Sequence, residues 1–232
     1  MFGRRKKDGS PIEEEQEIDA SAEPEQQAPT RPEGPWDLED APEDTVNRID
    51  LGALRIPVPP DTEVRVDVSP EGQVVAATLV QGSSTMQVNV FAAPRSYGIW
   101  DEVREEIGTT LRESGGTAED AAGPWGPELL ATVPTENPDG PAPARFVGVD
   151  GPRWFLRALV TGPAARDREQ AAGLEAALRD IVVSRGTEAM AVRNPLPLRL
   201  PREVTEAQAE AGAAEPELPA LQERGPEITE RR

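Results

Sequence analysis

Glu63-Val64-Arg65-Val66-Asp67-Val68 alternates charged and apolar residues one for one, the period of a half-buried strand with its three valines inward. Similar runs follow at once. Ser69-Pro70-Glu71-Gly72 reads as a hairpin loop into residues 73–80, and Gln81-Gly82-Ser83-Ser84 as a second turn into residues 85–92, so the stretch predicts an antiparallel meander. Ahead of it, Ile49, Leu51, Leu54 and Ile56 predict a bent or bulged edge strand that stops at Pro57. After Pro94 the period becomes helical. Ile99, Trp100, Val103, Ile107 and Leu111 fall on one face, with Ser96 as a cap and Gly115-Gly116 as the stop.

From Thr117 the order repeats in outline. Residues 118–125 predict a short strand and residues 128–134 a stronger one, followed by an exposed loop at Asn137-Pro138-Asp139-Gly140-Pro141. Residues 144–150 and 153–161 predict a hairpin across Asp150-Gly151-Pro152. Its second arm is the densest apolar run of the chain, with Trp154, Leu156, Ala158 and Val160 on one side and Phe155 and Leu159 on the other. A strand apolar on both faces belongs in the middle of a sheet. A second helix is predicted from Asp167, where an Asp cap with Gln170 three residues on resembles a capping box. Its stripe is Ala171, Leu174, Leu178, Ile181 and Val182, and Gly186 closes it. Prolines at 195, 197 and 201 keep the next stretch out of a helix, so Leu196, Leu198 and Leu200 predict an extended strap across the domain.

These elements predict an α+β fold: antiparallel sheet of about seven or eight strands with two amphipathic helices, arranged as a pseudo-repeat of strands followed by a helix. The expected domain organisation is a disordered, acidic, Pro-rich arm with a basic start over residues 1–48, one α+β domain over 49–201, and an exposed helix with an acidic tail over 202–232.

Charge and composition narrow the chemistry. Among 232 residues, 43 are acidic and 24 basic, a net charge of −19, which disfavours binding of polyanions by the body of the protein. The sequence holds no histidine and no cysteine, which removes disulfides, thiolate nucleophiles, ordinary zinc sites and imidazole acid–base catalysis. No catalytic residue, cofactor or metal ligand is assigned. The carboxylate neighbours Asp101 with Glu105 and Glu119 with Asp120 read as solvated surface charge. No apolar run approaches the roughly 18 residues of a membrane helix, and the expected location is the cytoplasm. Arg4-Arg5-Lys6-Lys7 offers a weak contact to nucleic acid or to an anionic membrane surface, but one short cluster without a second anchor holds a membrane only marginally.

Two features point to contacts. Arg153 and Arg157 flank the aromatic pair of the dense strand, and Arg145 lies on the strand predicted to pair with it. Three guanidinium groups on one patch would bind an anion or a partner, or else form salt bridges and stack on an aromatic ring. Trp36 and Leu38, an apolar island in an acidic arm, are candidates for a short linear motif, docking on the chain's own domain or on a partner.

The run from Gly151 through Pro163, the helix after it, Val183-Ser184-Arg185-Gly186-Thr187-Glu188-Ala189-Met190 and Pro195-Leu196-Pro197-Leu198-Arg199-Leu200-Pro201 together resemble the actinobacterial domain-of-unknown-function family 3710. Phe2-Gly3-Arg4-Arg5 and Arg48-Ile49-Asp50-Leu51-Gly52 share in the resemblance. It implies a cytoplasmic protein of a Gram-positive bacterium and transfers no catalytic residue. The expected function is therefore a non-enzymatic binding or adaptor module with an unidentified protein partner. The alternative is an enzyme or small-anion binder with a cleft lined by Arg153, Arg157 and Tyr97.

Overall fold

In the computed structural model the described residues are 34–135 and 140–201. The basic start, most of the acidic arm, Asn137 to Asp139 of the predicted loop and everything after Pro201 lie outside them. In chain order the strands are β1 (Trp36–Asp37), β2 (Arg48–Asp50), β3 (Leu54–Pro57), β4 (Glu63–Val68), β5 (Val74–Gln81) and β6 (Ser84–Ala92). Helix α1 (Trp100–Glu113) leads to β7 (Thr117–Gly123), β8 (Gly126–Val133), β9 (Ala142–Gly151) and β10 (Trp154–Thr161), and α2 (Arg168–Arg179) to β11 (Val182–Val183).

Seven strands form one antiparallel sheet in the order β4-β5-β6-β10-β9-β8-β7. It is two meanders joined where β6 pairs with β10, from Trp154 opposite Ala92 to Thr161 opposite Thr85. β10 is thus the middle strand, as its two apolar faces predict. It pairs on its other side with β9 across the predicted hairpin. The fold is α+β, and the repeat holds only as element order: the first half gives three strands to this sheet and the second gives four.

The pleat of β10 divides the core in two. Trp154, Leu156, Ala158 and Val160 face α2 and a small second sheet, of order β1-β11-β3-β2, and pack with Leu51, Leu54, Ile56, Leu174 and Leu178. Phe155 faces the other way, with Leu129, Phe146 and the α1 residues Trp100, Val103 and Ile107. Trp100 lies flat over β9 because Gly148 has no side chain; a Cβ there would run into the indole ring. Phe91, Phe155 and Trp100 make a stacked row with ring centroids 6.1 and 5.8 Å apart.

Three expectations are corrected. Residues 49–57 are not one bent strand but the hairpin β2–β3, with Ile49 opposite Ile56. Gly52, at φ +85°, reverses the chain, and the Asp50 carboxylate accepts its N–H at 2.7 Å. The domain starts well before residue 49, because β1 pairs parallel with β11. Ser96 does not cap α1. Ile99 is the first capping position and has no side-chain bond of its own, and Asp150 on β9 accepts the N–H groups of Ile99 (2.8 Å) and Trp100 (3.3 Å) instead. The second helix is capped as predicted, with Asp167 accepting from Glu169 and Gln170 and the Gln170 amide reaching back to it at 2.7 Å.

The strap is present and does more than cross the surface. β5 and β6 are paired from Gln81–Ser84 to Ala77–Val88 and then diverge. Residues 193–198 enter the fork, bridging Phe91 at Pro195 and Val74 at Leu198. Leu196 donates to the Val90 carbonyl, and Ala92 exchanges bonds with Arg193 and Asn194. Leu196 is 3% exposed.

Candidate functional site

The three arginines do not share a patch. On β10, Arg157 pairs with Gly148, whereas Arg145 pairs with Val160. Side chains alternate along a strand, so the two guanidinium groups lie on opposite faces of the sheet. Arg153 sits between the strands' ends, in the turn, with φ +63°. The patch of three guanidinium groups expected from these residues is therefore not formed.

Arg145 is 1% exposed under α2. Its Nη1 lies 2.6 Å from Glu175 and 3.7 Å from Glu128, and Arg168 pairs with both carboxylates. Burial pushes the Glu128 carboxyl above its ordinary value, opposed by the charges of Arg145 and Arg168. Two cations and two anions make a neutral lock between β8, β9 and α2. The apolar pattern of the sequence does not single out Glu128, Arg168 and Glu175. Arg168 and Glu175 are two helical turns apart, beside the apolar stripe, and that spacing was the available signal.

Arg153 is structural at its backbone. Its carbonyl accepts from the Ala93 N–H at 2.9 Å and from Arg185 Nε at 3.1 Å. Arg185 also donates to the Glu188 carbonyl at 3.2 Å. Burial, and the neighbouring Arg153 charge, hold the Arg185 guanidinium below its ordinary value.

Arg157 differs from both. It projects from the middle strand onto the face that α1 covers above β7, β8 and β9, with Trp100 reaching Phe155 of β10. Over β4, β5 and β6 no described element covers that face, and its side chains form a polar array. Thr78 and Gln87 donate to the Asp67 carboxylate at 2.7 and 2.9 Å, and the Thr85 and Thr161 hydroxyls share a bond of 2.8 Å. The Asn89 amide donates to the Val75 carbonyl at 3.1 Å and accepts from Arg157 Nη2 at 3.3 Å. The Arg157 guanidinium lies over the Phe91 ring, 5.6 Å from its centroid. Among the described residues it has no carboxylate partner, and its enclosed Nε has no acceptor. Burial alone lowers its pKa. An enclosed donor without an acceptor costs about 1–3 kcal/mol, so Arg157 is held half-buried at a cost that no ion pair among the described residues offsets.

The other expected residues fall elsewhere. Trp36 is half-buried in β1, and the neighbouring Asp37 carboxylate takes the Trp154 indole N–H at 2.7 Å. Trp36 and Leu38 donate backbone N–H groups to Ile181 and Val183, both at 2.9 Å, so this segment is docked on its own domain. Tyr97 is 67% exposed in the loop before α1. Asp101 and Glu105 line a 620 Å³ groove in which Arg104 bridges Asp101 and Asp120. Glu119 lines a 320 Å³ groove with Leu130 and Arg166. Arg145, Arg153 and Arg157 line neither groove. Among the described residues no group of three acidic side chains is placed to hold a metal ion, and no helix is long and apolar enough to cross a membrane.

A family model described as "Protein of unknown function (DUF3710)" matches residues 34–207, well over half of the chain. Comparison with curated proteins returns no match. Among solved structures, the chain is similar to the solution structure of cyanobacterial PsbP (CyanoP) from Synechocystis sp. PCC 6803. The identity is 12%, the TM-score 0.37, and the match covers 60% of this chain and 92% of that one.

Proposed function

The chain belongs to the DUF3710 family, and from that premise we propose that it is a non-enzymatic binding module that engages a protein partner through the uncovered face of its large sheet. One observation carries this reading. The middle strand holds a half-buried cation, Arg157, without a carboxylate partner among the described residues, beside an ordered array of amide and hydroxyl side chains. A sheet face that is merely solvated has no need to desolvate a charge. The chain's lack of histidine and cysteine takes from this face the commonest nucleophile and base. The lock of Arg145 and Arg168 with Glu128 and Glu175 is neutral and lies under α2. The cytoplasm of an actinobacterial cell is the setting that the resemblance of Gly151–Pro163 and its neighbours implies.

The test places a photoreactive amino acid at Arg65, which is on this face and 57% exposed, and another at Glu169, on the exposed flank of α2. Both are irradiated in a lysate of the source cells. A discrete adduct from position 65, absent from position 169 and lost when Arg157 is also changed to Gln, is the expected result. Equal adducts from both positions, or none from position 65, would sink the proposal.

A further inference from the structure

The chemistry of the group that this face receives follows from what surrounds Arg157. The guanidinium is held on several sides: it lies over the Phe91 ring, Asn89 Oδ1 holds Nη2 at 3.3 Å, and Nε is enclosed. Nη1 has no partner among the described residues and is not among the enclosed atoms. The edge offered to the open face is thus the outer one, made by Nη1 and Nη2. That fork matches the two oxygens of a carboxylate end-on. One positive charge balances one negative charge. Asp150, on this face of the neighbouring β9, is taken up by the N–H groups of Ile99 and Trp100, and Asp67 of the array is three strands away on β4, about 14 Å at normal strand spacing. A phosphate dianion would leave a charge over in a molecule that already carries −19.

We propose that Arg157 anchors one carboxylate of the partner, bound end-on above the Phe91 ring, and this rests on the binding-module reading. The neighbouring amides of Asn89 and Gln87 then border an acidic side chain and its peptide. Arg65 on the same face is already paired with Glu63 at 2.9 Å and is not part of the anchor.

The full chain, labelled with nitrogen-15, is titrated with four probes while the Arg157 side-chain signals and the side-chain amides of Asn89 and Gln87 beside it are followed by NMR. The probes are acetate, an N-acetylated tetraglutamate amide, the tetraalanine equivalent and inorganic phosphate. Saturable shifts of Arg157 with acetate and tetraglutamate, and none with tetraalanine, are expected. Arg157→Gln abolishes the probe-induced shifts at Asn89 and Gln87 while the probe-free amide spectrum stays otherwise unchanged, Arg157→Lys weakens binding read at those amides about tenfold because the fork is lost, and Arg65→Gln leaves binding intact. No shift with either carboxylate, shifts that survive Arg157→Gln, or tighter binding of phosphate would each overturn the proposal. Binding of acetate without tetraglutamate would keep Arg157 as a carboxylate anchor but make a small free acid its ligand, and the partner reading would then fail alone.

Discussion

Arg145 and Arg157 sit on neighbouring strands of one sheet and carry the same charge, yet removing each has a different consequence. Arg157→Met keeps the stem over Phe91 and deletes a charge that has no carboxylate partner among the described residues. Its urea midpoint is expected to match a stability change within about 1 kcal/mol in either direction. Arg145→Met leaves Arg168 as the one cation for two carboxylates, Glu128 and Glu175, under α2, and is expected to cost about 3–5 kcal/mol in the same measurement. Their separation rests on the pleat: Gly148 opposite Arg157 and Val160 opposite Arg145 put them on opposite faces. The strands and the hairpin were legible in the apolar pattern, but register was not, and a slip of one residue would have put both guanidinium groups on one side. Glu128 also makes a pH prediction. Folding raises its pKa, so its contribution to stability is fully present below the ordinary 4.5 and is lost as pH rises through the folded value. The stability of the wild type relative to Glu128→Gln, from urea melts across that range, is expected to fall with rising pH. A rise would show that Arg145 and Arg168 outweigh burial.

At the scale of elements, local signals were read correctly and long-range ones were not. Asp167 and Gln170 lie within one turn of the helix they cap, and their spacing alone announces it. α1 takes its cap from Asp150, which is distant in sequence and brought beside Ile99 only by the sheet. Ser96 had the right chemistry and the wrong position. The start of the domain was misplaced for the same reason. Trp36 and Asp37 form a strand only because β11 supplies the pairing, and an isolated Trp in an acidic segment carries no periodicity. Asp150→Ala removes an acceptor from two N–H groups and is expected to cost about 1–2 kcal/mol. Amide exchange would show the loss at Ile99 and Trp100 first, while the α2 cap stays protected. Uniform loss of protection in both helices would mean that Asp150 holds the sheet rather than the helix.

The whole molecule is closed by a segment with no regular structure of its own. The two meanders supply seven strands, yet the sheet is open where β5 leaves β6, and the strap seals that gap by pairing with Val90 and Ala92 and burying Leu196. The same segment is tied to α1 by Arg193, which bridges Glu102 (3.1 Å) and Glu106 (2.9 Å), but these are exposed pairs. Burial and not charge should therefore hold the strap down. Leu196→Ala is expected to cost about 2–5 kcal/mol and Arg193→Ala less than about 1 kcal/mol, both from denaturant midpoints. Because Phe91 lies on the strand that the strap completes, and supports Arg157, a loosened strap should also reach the open face. In Leu196→Ala, amide exchange at Ala92 should speed up ahead of the amides of β10, and the Arg157 side-chain signal should shift or broaden. An unchanged Arg157 signal beside a freed Ala92 amide would show that the strap seals the core without bearing on the binding face.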